Sequence, residues 1–305
     1  MALYLVIQVG AFLSRILPRP WRYLIGNVVG DAVYRVWGVK RRIIRSNMAT
    51  VMRRAENDPV VSRMAAKSMR NHCKYLIEFL ELPVLSATDR IVAGMELLGL
   101  EHLQNALEQG RGVIMASAHF GTTEVGGLRL KDFTDFHAVY DTFKPAYLDR
   151  LIQRKRLEKG IDLIPASNIR AMLRVLKHGG TLVVLFDRPM EDGNGTPVQF
   201  FERETRVPSG PAVLAMKTGA TILPVYITRE PDFTFRTVIS PPVTWTPSGD
   251  RERDVQGIMQ KLMNTLQAAV TARPDQWYMF RPMWPEPAQI DRFSAPDVTS
   301  REPAT

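Results

Sequence analysis

The sequence predicts an α/β fold: one domain with a central, mostly parallel or mixed β-sheet flanked by helices. Two observations predict it. Apolar runs of strand length, Val113–Ala118, Phe136–Tyr140, Thr181–Phe186 and Thr221–Thr228, alternate for much of the chain with segments whose apolar residues recur at helical spacing, and that alternation builds a sheet covered on both faces. The chain is also long enough, at 305 residues with 45% hydrophobic content, to bury one large core. A single cysteine, Cys73, excludes an internal disulfide framework and a multi-cysteine zinc cluster. The formal charge of +9 calls for an anionic partner: nucleic acid, an acidic carrier protein or a membrane surface.

Taken in order, Met1–Leu17 is apolar up to Arg15, short of the roughly 20 residues that cross a bilayer, and it lacks the early charge and the cleavage site of a secretory signal. Trp21, Tyr23, Tyr34 and Trp37 then lie among Arg19, Arg22, Arg35, Lys40, Arg41, Arg42 and Arg45; from Met1 to Arg54 there are ten basic residues and one acid, Asp31. Interleaved aromatic and basic residues suit a lipid headgroup interface, and the competing reading is a buried amphipathic helix pair with a solvated basic face. No nucleic-acid-binding pattern accompanies the charge. The expected organisation is a membrane-associating helical segment over 1–45, an α/β domain over 46–287 and a frayed polar tail over 288–305.

Val60–Leu82 has helical spacing and ends before Pro83, and its lone histidine, His72, reads as a packing or capping residue. Ile91–Leu98 reads as a short strand, followed by a helix to Leu107 that stops at Gly110. After the Phe136–Tyr140 strand come helices at Pro145–Lys159, with proline in its first turn, and at Asn168–Lys177, closed by Gly179 and Gly180. The Thr181–Phe186 strand runs into Asp187. A helix at Ser209–Thr218, strands at Thr221–Thr228 and Phe233–Ser240, and a long helix at Arg251–Ala272 complete the pattern.

Chemistry is expected after the Val113–Ala118 strand. His119 stands at that strand's exit, and Gly121, Thr122 and Thr123 open a helix with Glu124 in its first turn. In one continuous helix residues five apart diverge by about 140°; a histidine before the helix and an acid inside its first turn can meet. Such a pair is a general base: one ring nitrogen takes a proton and the carboxylate holds the other. The alternative is a turn histidine beside a helix-start acid. In sheets of this type sites collect beyond the carboxyl ends of strands, where both His119 and Asp187 fall.

His119-Phe-Gly-Thr-Thr-Glu124, followed in order by Arg156–Gly160 (RLEKG), Leu176–Asp187 (LKHGGTLVVLFD), Phe200-Phe201, Gly219–Val225 (GATILPV) and Pro274–Tyr278 (PDQWY), resembles the lysophospholipid acyltransferase superfamily, in its branch of lipid A biosynthesis and phosphatidylinositol mannoside acyltransferases. The resemblance implies a membrane-associated O-acyltransferase at the cytoplasmic face of the inner membrane, moving a fatty acyl chain from acyl-CoA or acyl carrier protein to a hydroxyl of a glycolipid, without metal or redox cofactor. It implies His119 as base, Glu124 as its orienting acid, and Arg156, Asp187 and Arg188 as substrate-binding residues, with Asp187 holding an acceptor hydroxyl, Arg156 or Arg188. Asp141–Lys144 and Arg188-Pro189 depart from that branch's pattern, which leaves the bound lipid open. The competing functions are a hydrolase using the same histidine, against which G-x-S-x-G is absent, and a catalytically silent lipid-binding protein of the same fold.

Overall fold

The computed structural model describes residues 17–81, 85, 89–142, 146–190 and 194–284. The apolar run over 1–16, Lys144, Pro145 and the expected tail lie outside the described residues.

Seven strands form one sheet in the order β1-β9-β8-β2-β5-β3-β4. These are β1 (Glu96–Leu98), β2 (Val113–Ser117), β3 (Phe136–Tyr140), β4 (Asp162–Pro165), β5 (Thr181–Leu185), β8 (Thr221–Arg229) and β9 (Phe235–Ile239). The five strands from β8 to β4 are parallel to their neighbours; β9 runs antiparallel to β8, and β1 pairs parallel with β9. The fold is therefore the expected α/β architecture with a mixed, mostly parallel sheet.

The two faces can be read residue by residue along the central strands, because side chains alternate at period two. Ile114, Ala116 and Ala118 of the β2 run join Leu182, Val184 and Phe186 and Ile222 and Tyr226 in one core. Val113 and Met115 join Leu223, Val225 and Ile227 in another. The first core is closed by the long helix α10 (Arg251–Ala272), with Ile258, Met259, Leu262 and Leu266 buried; the second is covered by α5 (Leu100–Glu108) through Leu103 and Ala106.

Several elements differ from expectation. Arg90–Ala93 is a single helical turn (α4), and only Glu96–Leu98 of the expected Ile91–Leu98 strand is extended. An antiparallel hairpin, β6 (Thr196–Phe200) with β7 (Arg203–Val207), was not predicted. Its turn residues Phe201 and Glu202 both have positive φ, 50° and 62°, with neither the glycine nor the asparagine that signals such turns. It is tied to α10 instead: the Gln199 and Phe201 amides donate to the side chains of Gln260 and Gln267, both at 2.7 Å.

At the amino-terminal end, α1 (Arg19–Val36) and α2 (Gly38–Met52) pack on α3 (Pro59–Glu81); α2 is continuous across residue 45. Gly30 permits the approach of α1, since a Cβ there would sit 2.6 Å from the Arg70 Cα. Arg19 and Tyr23 face inward. Trp21, Leu24, Ile25, Val28 and Val29, spaced for one helical face, remain exposed, as do Val36, Trp37 and Val39. Among the described residues no helix is long and apolar enough to cross a membrane.

Candidate active site

The parallel register of β2 and β5 sets Ser117 beside Leu185. Two residues further along each strand lie His119 and Asp187, so equal overhangs carry the two side chains to the same place. The His119 Nδ1 is 2.7 Å from Asp187 Oδ1, and the His119 amide donates to Oδ2 at 3.0 Å. The indole Nε1–H of Trp277 donates to the same Oδ2 at 3.2 Å. Asp187 is wholly buried while His119 is a quarter exposed. Burial alone would raise the Asp187 carboxyl; the facing His119 and its hydrogen bonds outweigh that and hold it below the usual carboxylate range. An ionised Asp187 fixes the hydrogen on Nδ1 and turns Nε2 toward the cleft.

The ring partner of His119 is thus Asp187, and the expectation that Glu124 would hold the imidazole is corrected. Glu124 does open helix α6 (Thr123–Leu130) in its first turn, but its carboxylate turns to Arg156 at the end of α7 (Ala146–Leu157), at 2.5 and 3.3 Å. The Tyr75 hydroxyl donates to it at 3.4 Å. Burial works against the Arg156 charge and Glu124 more than compensates, raising the guanidinium above its ordinary value. Asp187 accordingly holds neither Arg156 nor Arg188; Arg188 lines the cleft with Asp141 3.8 Å away.

The loop that carries His119 is stitched on both sides. Gly121 has φ 61°, and a Cβ would fall 1.6 Å from the Ile227 carbonyl oxygen, so only glycine fits. Its amide donates to Gln276 O at 2.8 Å, and the Tyr278 amide donates to His119 O at 2.8 Å. The Pro274–Tyr278 stretch therefore frames the histidine. Behind it Phe200 and Trp284, with Phe201 against both of them, pack on the fully buried Trp277, which connects the hairpin β6–β7 to the Asp187 carboxylate.

His119, Glu124, Arg156 and Arg188 line one cleft of about 440 Å³, walled by Tyr75, Phe79, Tyr278 and Phe280 and reached by Lys40. A second space of about 110 Å³, mostly apolar, runs between α6 and the sheet among Leu103, Met115, Leu130, Phe136 and Val183. Thr123, Glu124, Arg156 and Leu185 line both, so the ion pair stands where the apolar space meets the cleft that holds His119. The arrangement offers a base with an oriented ring, the Arg188 guanidinium for an anion, and an apolar space that admits part of a hydrocarbon chain.

Sequence reasoning named His119, Glu124, Arg156, Asp187 and Arg188 but missed Trp277 as the anchor of Asp187; His72, read as a packing residue, is packed among Tyr75, Tyr278 and Phe280, where it also lines the cleft.

The family described as bacterial lipid A biosynthesis acyltransferase matches residues 1–286. The chain is 28% identical over 247 residues to a phosphatidylinositol mannoside acyltransferase of Mycolicibacterium smegmatis, covering 79% of this chain and 78% of the relative. A phosphatidylinositol mannoside acyltransferase of Mycobacterium tuberculosis (strain CDC 1551 / Oshkosh) is 28% identical over 257 residues, 79% and 76% of the two chains. The lipid A biosynthesis lauroyltransferase of Escherichia coli K12 is 23% identical over 252 residues, 82% and 79%.

Proposed function

The chain belongs to the bacterial lipid A biosynthesis acyltransferase family, and from that premise we propose that it transfers a fatty acyl chain from an acyl-CoA or acyl carrier protein thioester to a hydroxyl of a glycolipid, with His119 as general base. The observation that carries this reading is the His119–Asp187 pair at the joined carboxyl ends of two parallel strands. Nε2 takes the proton of the attacking hydroxyl, the alkoxide oxygen adds to the thioester carbon, and the buried carboxylate stabilises the imidazolium that results. When the tetrahedral intermediate collapses, the C–S bond breaks and the proton passes from Nε2 to the sulfur. The apolar space beside Glu124 and Arg156 suits part of the acyl tail. Arg188 supplies paired N–H groups of the kind that bind phosphate, while Arg156 directs its Nε–H and an Nη2–H to Glu124.

Incubating the protein with lauroyl-CoA and, separately, phosphatidylinositol mannoside and a lipid A precursor tests the reading. Mass spectrometry is expected to find one added acyl chain on one of the two lipids; release of free fatty acid alone, with neither lipid acylated, would favour the hydrolase.

The working position we propose is the cytoplasmic face of the membrane. The exposed apolar stripe of α1 and the basic residues around it form a surface that docks by partial insertion and charge, since each Lys or Arg near an anionic membrane contributes about 1 kcal/mol. Val36, Trp37 and Val39 lie next to Lys40 at the rim of the cleft, so docking there would bring the cleft to embedded lipid. Replacing Trp21, Leu24 and Val28 with serine is expected to release the protein from phosphatidylglycerol vesicles in co-sedimentation while leaving the melting temperature unchanged, because these side chains are exposed in the free protein. Undiminished sedimentation would remove α1 as the docking surface.

A further inference from the structure

A second histidine faces the same cleft and has no role in the proton transfer. His72, on α3, lines the cleft together with His119. Its ring is caged by Tyr75 (centroids 5.9 Å apart, stacked), Tyr278 (5.2 Å, edge-on) and Phe280 (4.8 Å, edge-on). Its Nδ1 is sealed from solvent and has no hydrogen-bond partner among the described residues. Burial, assisted by the charge of His119, pushes its titration down to about 4, so at neutral pH the ring is uncharged.

A neutral imidazole carries one N–H and one lone pair. An N–H at Nδ1 would be a sealed donor without an acceptor, the rarer and costlier kind of orphan; an unmatched acceptor is more readily tolerated. The hydrogen therefore belongs on Nε2, the nitrogen left to the cleft. An uncharged imidazole serving as a hydrogen-bond donor to a polarised carbonyl is established enzyme chemistry, and it does not compete with the base for the proton.

We propose that the Nε2–H of His72 binds the thioester carbonyl oxygen and stabilises the oxyanion formed during acyl transfer. As the substrate oxygen bonds to the carbonyl carbon and its proton moves to His119 Nε2, the carbonyl π pair becomes an oxygen lone pair facing His72. Collapse restores C=O, breaks C–S and returns the proton from His119 to the thiolate. His72 keeps its own hydrogen throughout, and the imidazolium formed on His119 makes it still harder to charge. This inference rests on the acyl-transfer reading above.

The test compares wild type, His119→Ala, His72→Phe and His72→Gln with lauroyl-CoA and phosphatidylinositol mannoside, measuring kcat, KM and melting temperature. Losing one such donor typically costs about 10²- to 10³-fold in kcat, and that fall is expected for His72→Phe with KM for lauroyl-CoA near wild type. Its melting temperature should be equal or higher, because an apolar ring replaces an unmatched buried nitrogen inside an aromatic cage. His72→Gln, whose amide reaches about as far as Nε2, should recover roughly tenfold or more of the lost rate. Wild-type kcat in His72→Phe, or no recovery in His72→Gln, beside an inactive His119→Ala would overturn this inference alone. A lower melting temperature in His72→Phe that accounts for its lost rate would overturn it too, making the histidine a packing residue. Unchanged transfer in His119→Ala would overturn His119 as the base and this inference with it, whereas release of free fatty acid with no acylated lipid from the wild type would overturn the acyl-transfer reading itself.

Discussion

Replacing His119 with alanine is expected to lower acyl transfer by about 10²- to 10⁴-fold, the usual worth of positioned proton transfer, in a protein that still folds, because its imidazole is partly exposed and contributes little apolar packing. Asp187→Asn should cost about as much, and for a reason the hydrogen bonds dictate. Oδ2 accepts two N–H donors, from the His119 backbone and Trp277, so the amide oxygen must take that position and the NH₂ must face Nδ1. Nδ1 then becomes the acceptor, the hydrogen moves to Nε2, and the nitrogen facing the substrate can no longer take a proton; the same tautomer inversion in a serine protease triad costs about 10⁴ in kcat. Glu124→Gln should also be damaging, through a different partner. Its loss should be non-additive with Arg156→Gln and additive with Asp187→Asn, because contact pairs couple and separate ones do not. A double-mutant cycle on kcat checks this: coupling of Glu124 to His119 as strong as that of Asp187 would return the orienting role to Glu124.

How much of this was legible in the chain depends on the range of the interaction. The central strands were readable because both of their faces are buried, which leaves long apolar runs such as Val113–Ala118, and the α10 helix because its period is unbroken from Arg251 to Ala272. His119 and Asp187 were each visible as polar residues ending an apolar strand. Their partnership was not, since it depends on β2 and β5 being neighbours in register, and strand order is a property of the whole sheet. Glu124 was assigned to His119 because five residues separate them, whereas Arg156, its partner, is 32 residues away. The hairpin β6–β7 escaped because its turn lacks the residues that favour positive φ and is held instead by Gln260 and Gln267 of a distant helix. Trp277 reads in sequence as one aromatic of PDQWY; only the fold shows its indole N–H on the Asp187 carboxylate.

The second large effect is expected at the buried ion pair behind the site. Arg229, at the end of β8, grips Glu78 of α3 with two N–H groups, at 2.5 and 2.7 Å, and both residues are almost completely buried; the Tyr23 hydroxyl of α1 donates to the same carboxylate. Arg229→Met leaves that carboxylate in the core without its hydrogen-bonded counter-charge, Lys74 remaining nearby on α3, and breaking such a pair typically costs about 3–5 kcal/mol. Replacing both members, Arg229→Met with Glu78→Leu, should recover most of the loss, because a matched apolar pair carries no desolvation penalty. The pH dependence separates this account from simple loss of packing. In the wild type burial would raise the Glu78 carboxyl, but Arg229 and the hydrogen bonds prevail and hold it below its ordinary value. Its contribution to stability is then present above the unfolded carboxylate range, near 4.3, and is lost as pH falls through the folded value. In Arg229→Met burial is left without its main opponent, so the folded value rises and the sign reverses: stability is regained as pH falls from 7 toward 5. Urea unfolding at the two pH values should show the gap between variant and wild type narrowing at the lower one. A gap that stays constant would mean the loss is one of shape alone. Because the Arg229 amide donates to the Gln276 side chain and Gln276 O receives the Gly121 amide, the single variant should lose transfer together with fold, and the double variant should regain both.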